Sequence, residues 1–465
     1  MLRQSHFVRL LLAASCLCAV ADSQTAGGDD FHVYRDGPRI TLTAQRLRLL
    51  ERERERRSPR WENFEAAVKS GQLFTGVPSL EPGIAGALYY RITKDEAIGR
   101  KAILSLMTLG PKATPNVTDE LRQLAIVFDW CAPLLTKTET DELAAKLELE
   151  LRQSAAETPT VASQNARVLA AIALADRLPD AGDSILRDVV EKWWRGKIVP
   201  EVAAGRPAIA RQDMYLLFEM MHAIRDNTKV DLRESLVEYF KMLPLEYIVG
   251  HYPSPFPGSQ NDVRVPVYAE NREPDTVEAG WSRAAGLALV AYDTNAVNHQ
   301  FVQGWLMNDR FQMRDALGAT YEFLWANPYQ PGLSYATLPL VFHDPQTGHV
   351  FARSSWDDDA TWIGYFDGTL QLFQNSGVQT LRPGTPLPRP LRIGTAVITK
   401  AVEPSTAKLR LDSETLFVLG LTPNATYGVE VDDQELDFLK TDVGGTLVVK
   451  APEGTDAGIR VWRVP

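Results

Sequence analysis

Between about residues 40 and 330 the apolar positions recur three and four apart, the period of helices that bury one face. Thr43 is placed to cap a helix running to Arg57, where Ser58-Pro59 stops it. The ERERER run within it reads as a solvated face with local charge pairs. Trp61, Phe64 and Val68 mark the next apolar face. Thr93-x-x-Glu96 and Thr136-x-x-Glu139 have the spacing of capping boxes, in which hydroxyl and carboxylate each satisfy an orphan N–H at a helix start. Between them Leu121, Leu124, Ala125 and Phe128 share a face, and further helices are expected at 164–178, 182–195, 211–226, 230–243 and 276–298. Short Pro/Gly turns between such helices predict antiparallel hairpins. No strict repeat is present, so a regular solenoid is not expected.

The period changes near residue 332. VFHD, HVFARSSW and TWIGYFDG are short β-rich runs bounded by Gly and Asp. RPGTPLPRPLR, residues 382–392, holds four prolines and reads as a stiff connector. Beyond it strands are expected at 393–400, 414–420, 426–432, 435–440, 445–450 and 458–464, the spacing of an antiparallel β-sandwich. Helices first and strands second predict a segregated α+β chain. The expected divisions are 22–331 helical, 332–381 a β segment, 382–392 the connector and 393–465 the sandwich.

Residues 1–21 carry a different pattern. Arg3, His6 and Arg9 precede an apolar run from Leu10 to Val20, too short for the roughly 20 residues that span a bilayer. Ala19-Val20-Ala21 then gives a small-x-small cleavage site, so a secretory signal and a periplasmic or secreted location are expected. Lipidation at Cys16 is the alternative. Cleavage leaves 444 of the 465 residues, moves the net charge from −10 to −12 and leaves Cys131 as the one cysteine. No internal disulfide is then available, and Cys131, on an apolar helical face, reads as an inert core thiol. The acidic balance argues against a nucleic-acid partner, which needs a basic field. No later apolar run is long enough to cross a membrane, and no Cys/His spacing suggests a metal site or a bound cofactor.

Three stretches resemble the heparinase II/III-like polysaccharide lyases and their alginate-lyase relatives: ALYYRITKDEAIGRKAI (87–103), LAIVFDWCAPLLTKTE (124–139) and GHVFARSSWDDDATWIGYFDG (348–368). The resemblance implies an α/α toroid followed by β-sheets, with a glycan cleft along the toroid. It also implies β-elimination at a uronic acid, in which a base removes the C5 proton while donors neutralise the adjacent carboxylate. The family places an Asn, often followed by His, at a toroid helix start, and a Tyr some tens of residues later. Asn165 and Tyr215 fill those places as catalytic candidates, without the following His. His222 joins them, since Tyr215, Glu219 and His222 fall on one helical face. The same face equally fits a buried one with a hydrogen-bonded histidine, and Asn165 equally fits a helix start.

Arg211 and Arg225 flank that helix as candidate substrate-binding cations. The loop GHYPSPFPGSQNDVRVP, residues 250–266, adds His251, Tyr252 and Arg264, since aromatics on a polar loop suit sugar stacking. Arg310, Arg314 and Tyr321 are weaker candidates. Of the adjacent Trp193 and Trp194 at most one is expected to face a cleft, because neighbouring helical residues point about 100° apart. The chain departs from the family after its β-strand pair: TLQLFQNSGVQTLRPG holds no histidine where active members carry one, and the β part from Leu338 is short. His343 and His349 precede the strands in a turn context and are expected to be exposed. Three readings remain open: an active uronate lyase, a non-cleaving relative that binds a glycan or another surface, and a glycoside hydrolase on a similar helical scaffold. Asp129, Asp213 and Glu219 are the conceivable carboxylates for the last.

Overall fold

In the computed structural model the described residues are 29–70, 82–107, 117–257, 262–263, 266–267, 276–308, 316–375, 377–382, 384–387, 389–401, 407–412, 414–432, 435–450 and 456–464. The signal-like segment, Arg264, Arg310 and Arg314 lie outside them.

The helices follow from their caps. Thr43 Oγ1 accepts from Arg46 N at 3.1 Å and opens α1 (Ala44–Glu55). It stops short of Arg57, whose φ of 49° is left-handed, and Ser58 opens α2 (Pro59–Lys69). A hairpin follows, α3 (Pro82–Thr93) and α4 (Glu96–Met107). The expected Thr93 box is absent here: Thr93 Oγ1 donates back to Tyr89 O, and Asp95 Oδ1 accepts from the amides of Ala97 and Ile98. Next come α5 (Val117–Cys131) and α6 (Lys137–Ser154), and the Thr136/Glu139 box at the start of α6 is complete. After α7 (Val161–Ala173) and α8 (Pro179–Arg187), residues Asp188–Ile198 wind as a π-helix into α9 (Val199–Ala203). Trp193 and Trp194 are both buried in that π segment, so neither faces a cleft. The set ends with α10 (Met214–Thr228), α11 (Val237–Val249), α12 (Thr276–Tyr292), α13 (Val297–Asn308) and α14 (Ala316–Trp325). The run expected at 230–243 starts later because the Asp231 carboxylate accepts from Arg233 N and bends the preceding residues into a 3₁₀ turn. The run expected at 276–298 is two helices, α12 and α13.

Helix adjacency closes on itself. α2 packs on α3, α3 on α5, α5 on α7, α7 on α10, α10 on α12, α12 on α14, and α14 returns to α2. Other helices pack beside this circuit: α4 on α3, α6 on α5, α13 on α12, α11 on α13, and α1 on α2 and α3.

The β part stacks on one end of this ring. Strands β1 (Phe256–Pro257) and β2 (Asp262–Val263) form a small ribbon. An antiparallel five-stranded meander follows: β3 (Val341–Asp344), β4 (His349–Arg353), β5 (Trp362–Phe366), β6 (Thr369–Gln374) and β7 (Gly377–Leu381). Its strands carry the following chain into β8 (Leu391–Ile393), β9 (Ala396–Lys400), β10 (Ala407–Asp412), β11 (Thr415–Leu419), β12 (Thr426–Val431), β13 (Glu435–Lys440), β14 (Leu447–Lys450) and β15 (Asp456–Arg463). These eight make two sheets, ordered β14-β11-β9-β8 and β10-β15-β12-β13. Strand β8 begins inside the proline-rich connector. The sandwich is also not purely antiparallel, because β9 and β11 run parallel, with β10 carried in the opposite sheet.

Three apolar clusters fix the stacking order. Val249, Trp362 and Phe373 join the helical end to one face of the meander. Val350, Ile363 and Ile398 join its other face to the β9/β11 sheet. Leu416, Tyr427 and Ile459 join that sheet to the last one. The N-terminal segment is pinned by charge instead. The buried Asp129 carboxylate on α5 accepts from the amides of Arg39 and Ile40 at 2.9–3.0 Å, and Trp130 Nε1 donates to Ile40 O at 2.9 Å. Asp129→Ala strands two buried amides, and a loss of about 3 kcal/mol is expected from hydrogen bonds to a charged group. Urea unfolding checks this; a change below about 0.5 kcal/mol would show that the segment is held elsewhere.

Candidate functional site

Two of the sequence-derived catalytic candidates do meet, in the interior of the ring. Glu219 on α10 receives Arg122 Nε and Nη2 of α5 at 2.6 Å each. Asn165 Nδ2 of α7 donates to the same carboxylate at 2.8 Å, and Tyr215 OH donates at 3.1 Å. Trp325 Nε1 donates to the Tyr215 hydroxyl at 3.1 Å, and Arg122 Nη2 to Tyr321 OH at 3.1 Å. All six side chains are buried, with Asn165 0% and Tyr215 1% exposed. The expected open groove around Tyr215 is therefore a closed polar core. Burial, and then Glu219, push the Tyr215 phenol well above its ordinary value, so it stays protonated and cannot act as a base. Asn165 Oδ1 lies buried without a hydrogen-bond partner.

His222 does not join them. Its Nε2 lies 3.0 Å from Ala288 O, and burial holds the ring neutral, well below its ordinary value. Arg225 donates to Tyr292 O at 2.6 Å and pairs with Asp226, near the same end of α10 as His222. Tyr252 donates to Gln371 Oε1 at 2.8 Å and stacks on Phe373, sealing the junction with the meander rather than facing a sugar. Arg195 pairs with Asp29 and Glu191, and Arg206 with Glu201. Of the hydrolase candidates, Asp129 and Glu219 are tied up in the contacts above. Cys131 is buried, and burial pushes its thiol up to about 12.

A cavity of about 390 Å³ opens where the ring meets the meander. Arg211, Tyr239, Glu246, His251, His349 and Asp367 line it. Arg211 sits in the 3₁₀ turn that leads into α10, Tyr239 and Glu246 lie on α11, and His251 follows the end of α11. His349 opens β4, after the left-handed Gly348 (φ 73°). A Cβ at Gly348 would stand 2.3 Å from Gly444 backbone, so only glycine lets this turn rest on the sandwich. Asp367 belongs to a two-residue Asp-Gly turn between β5 and β6, both residues with positive φ. Val350 pairs with Tyr365, so the register sets His349 beside the start of that turn.

His349 is the centre of the cluster. Its Nδ1 lies 2.7 Å from Glu246 Oε1 and its Nε2 3.8 Å from Asp367 Oδ1. The side chain is 16% exposed, which corrects its expected place on the surface; His343, bonded to Asp442 at 2.8 Å, is likewise enclosed. Burial opposes charging of His349, but Glu246 and Asp367 outweigh it and raise the imidazole to about 9. Burial likewise works against Glu246, yet His349 and then Arg211 hold it below its ordinary value, and the His349 contact lowers Asp367. Both carboxylates are thus ionised and the imidazole cationic at neutral pH.

Three further groups face this charge cluster. Arg211 donates through Nη1 to Val267 O, and its guanidinium sits 5.0 Å above the Phe366 ring. Its Nη2 has no hydrogen-bond partner, with Glu246 Oε1 3.8 Å away. Tyr239 is half-buried, and burial and then Glu246 hold its phenol protonated. His251 Nδ1 lies 2.6 Å from Tyr247 O, which makes Nδ1 the protonated nitrogen and leaves the Nε2 lone pair toward Ser282 Oγ at 3.2 Å. Sequence reasoning placed Arg211 and His251 as binders and missed Tyr239, Glu246, His349 and Asp367. The Asp-Gly turn between two apolar runs was the available signal for the β5–β6 hairpin, and the β4–β5 pairing sets His349 beside it.

Comparison with known proteins adds little. No family model matches the chain, and no curated protein matches it. Among solved structures, a glycoside hydrolase is similar with a TM-score of 0.35 and 8% identity, over 87% of this chain and 76% of that one. Among the described residues no group of three or more His, Cys, Asp or Glu is arranged to hold a metal ion, and no helix is long and apolar enough to cross a membrane.

Two outcomes test this geometry. The His349 imidazole is expected to titrate near 9 by NMR, against an ordinary 6.5. Because its folded value is raised, its stabilisation is complete below about 6.5 and lost as pH rises through 9, so His349→Gln should destabilise far more at pH 6 than at pH 10. A flat difference between those pH values removes the ion cluster. Arg122→Leu leaves the Glu219 charge buried without its main partner, and a loss of at least about 3 kcal/mol in thermal or urea unfolding is expected.

Proposed function

We propose that this chain is an exported protein that cleaves an acidic glycan by β-elimination, on an α/α toroid, in the cavity between helices and meander. The observation that carries the reading is that Arg211, whose Nη2 has no hydrogen-bond partner, and Tyr239 line one cavity beside an imidazolium. Arg211 and His349 supply positive charge where a uronate carboxylate must be neutralised as C5 becomes acidic. His251 Nε2, which carries a lone pair, is the base that takes the C5 proton. The C5–H electrons become the C4=C5 double bond, the C4–O bond breaks, and the leaving oxygen takes the Tyr239 proton. The proton held on His251 then returns to the Tyr239 oxygen, which restores both groups.

A hydrolase reading fits this cavity less well. Hydrolysis needs one carboxylic acid kept protonated, and both Glu246 and Asp367 are lowered, not raised. The test is incubation with a panel of uronate polysaccharides, followed by ultraviolet absorbance of the unsaturated product. Tyr239→Phe and His251→Ala should each lower kcat by about 100-fold with folding retained, while Arg211→Lys should mainly raise KM. New reducing ends without absorbance would replace elimination by hydrolysis. Retention on an immobilised glycan without any product would leave a binding protein only.

A further inference from the structure

At the other end of α10 lies a larger cavity, of about 760 Å³, that the reading above does not use. It is walled by the start of α1, the last turns of α10 and α12, and the residues after α14. We propose that it is a second binding site, for a ligand carrying an oxyanion: a carboxylate, sulfate or phosphate group on a molecule up to disaccharide size.

Charge imbalance is the first argument. Arg46, Arg48, Arg52 and Arg225 line the cavity, against Asp226 and Asp293. Both carboxylates already have cations: Asp226 pairs with Arg225 at 3.1 Å, and Asp293 with Arg233 at 3.1 Å. Among the described residues no carboxylate lies within ion-pair distance of Arg46, Arg48 or Arg52. Arg46 is the most enclosed of them. Its guanidinium lies 5.1 Å from the Trp325 ring centroid, and Nη1 donates to Trp325 O at 3.1 Å. Burial pulls it down to about 10, and the nearby Asp226 charge offsets that only in part.

The helix start is the second argument. Helix α1 has 12 residues and no acidic residue in its first turn, and its N-terminal residues line the cavity. Thr43 takes the Arg46 amide, while the first-turn amides of Ala44 and Gln45 have no acceptor among the described residues. Such amides and the helix dipole favour an anion. The third argument is Thr41. It lines the cavity, is 4% exposed, and its Oγ1 has no hydrogen-bond partner. Its φ of 54° is left-handed, which a β-branched side chain resists, so the backbone holds strain where the orphan hydroxyl sits. Tyr292 and Trp325 give the cavity aromatic surface suited to a sugar ring.

The proposal stands apart from the elimination site, and its test keeps the two separate. The intact wild-type chain is titrated with sulfate, phosphate and D-glucuronate at constant ionic strength, read by calorimetry and by melting temperature, with glucose and chloride as controls. Saturable binding of at least one of the three anions is expected, weakened about tenfold or more by Arg46→Met. If Arg46→Met does not fold, the exposed pair Arg48→Ala/Arg52→Ala is expected to lower affinity about threefold or more. Glucuronate without sulfate or phosphate assigns a sugar carboxylate; the reverse assigns a sulfo or phospho group. No anion binding beyond chloride, or binding that these variants leave unchanged, overturns the proposal.

Discussion

The buried Arg122–Glu219 pair is the constraint on which the helical body depends. Two charges 3% and 2% exposed cannot stand alone in that interior, so the carboxylate must collect donors from several helices at once. It draws on α5 through Arg122, α7 through Asn165 and its own helix through Tyr215, and α14 joins through Tyr321 and Trp325. A second buried carboxylate repeats the device. Glu322 of α14 receives Arg283 of α12 at 2.6 Å and Arg60 of α2 at 3.1 Å. Apolar contacts would bring these helices together in many ways, because hydrophobic burial is non-directional. Directional bonds to two fixed carboxylates specify which helix lies beside which, and so close the ring.

That solution fills the place where a ring of helices would otherwise offer a cleft. With its interior given over to the clamp, ligand space moves to the two ends of α10. Trp325 links the interior to one of them: its indole N–H bonds Tyr215, while its face carries Arg46. At the opposite end Arg211 leads into α10 and turns toward Phe366 and His349 of the meander. The glycine contact between Gly348 and Gly444 holds His349 from behind, so the cavity geometry rests on the sandwich as well as on the helices.

Much of the fold was legible in the sequence. The 3.6-residue period gave most helices, and Thr43 and Thr136 act as caps. Thr93 shows the limit: the same spacing was present, but Asp95 sits two residues closer to the amides and takes them. The π-helix at 188–198 and the parallel β9–β11 pair depend on packing and on crossing between sheets, which local patterns do not record. Asn165 and Tyr215 were legible as neighbours yet not as buried, since a helical face looks the same whether it lines a groove or a core. His349 was misjudged because a turn reads as exposed until the layer behind it is known.

The two cavities differ in their charge balance, and that difference argues for different work. Beside the meander His349 and Arg211 stand against Glu246 and Asp367, and His349 and the two carboxylates hold one another in their charged states. Such a balanced cluster orients groups and passes protons without trapping a product by net charge. At the far end the arginines of α1 outnumber the free carboxylates, the helix dipole adds to them, and Thr41 is strained with its hydroxyl unpaired. Excess positive charge without a titrating partner retains an anion and has no means of transforming it. On the proposed reading, turnover of an acidic polymer at one end of α10 gains from holding an acidic group at the other only if the two sites are loaded independently. The interior network that separates them, itself neutral at Arg122–Glu219 and closed to solvent, is what insulates one charge pattern from the other.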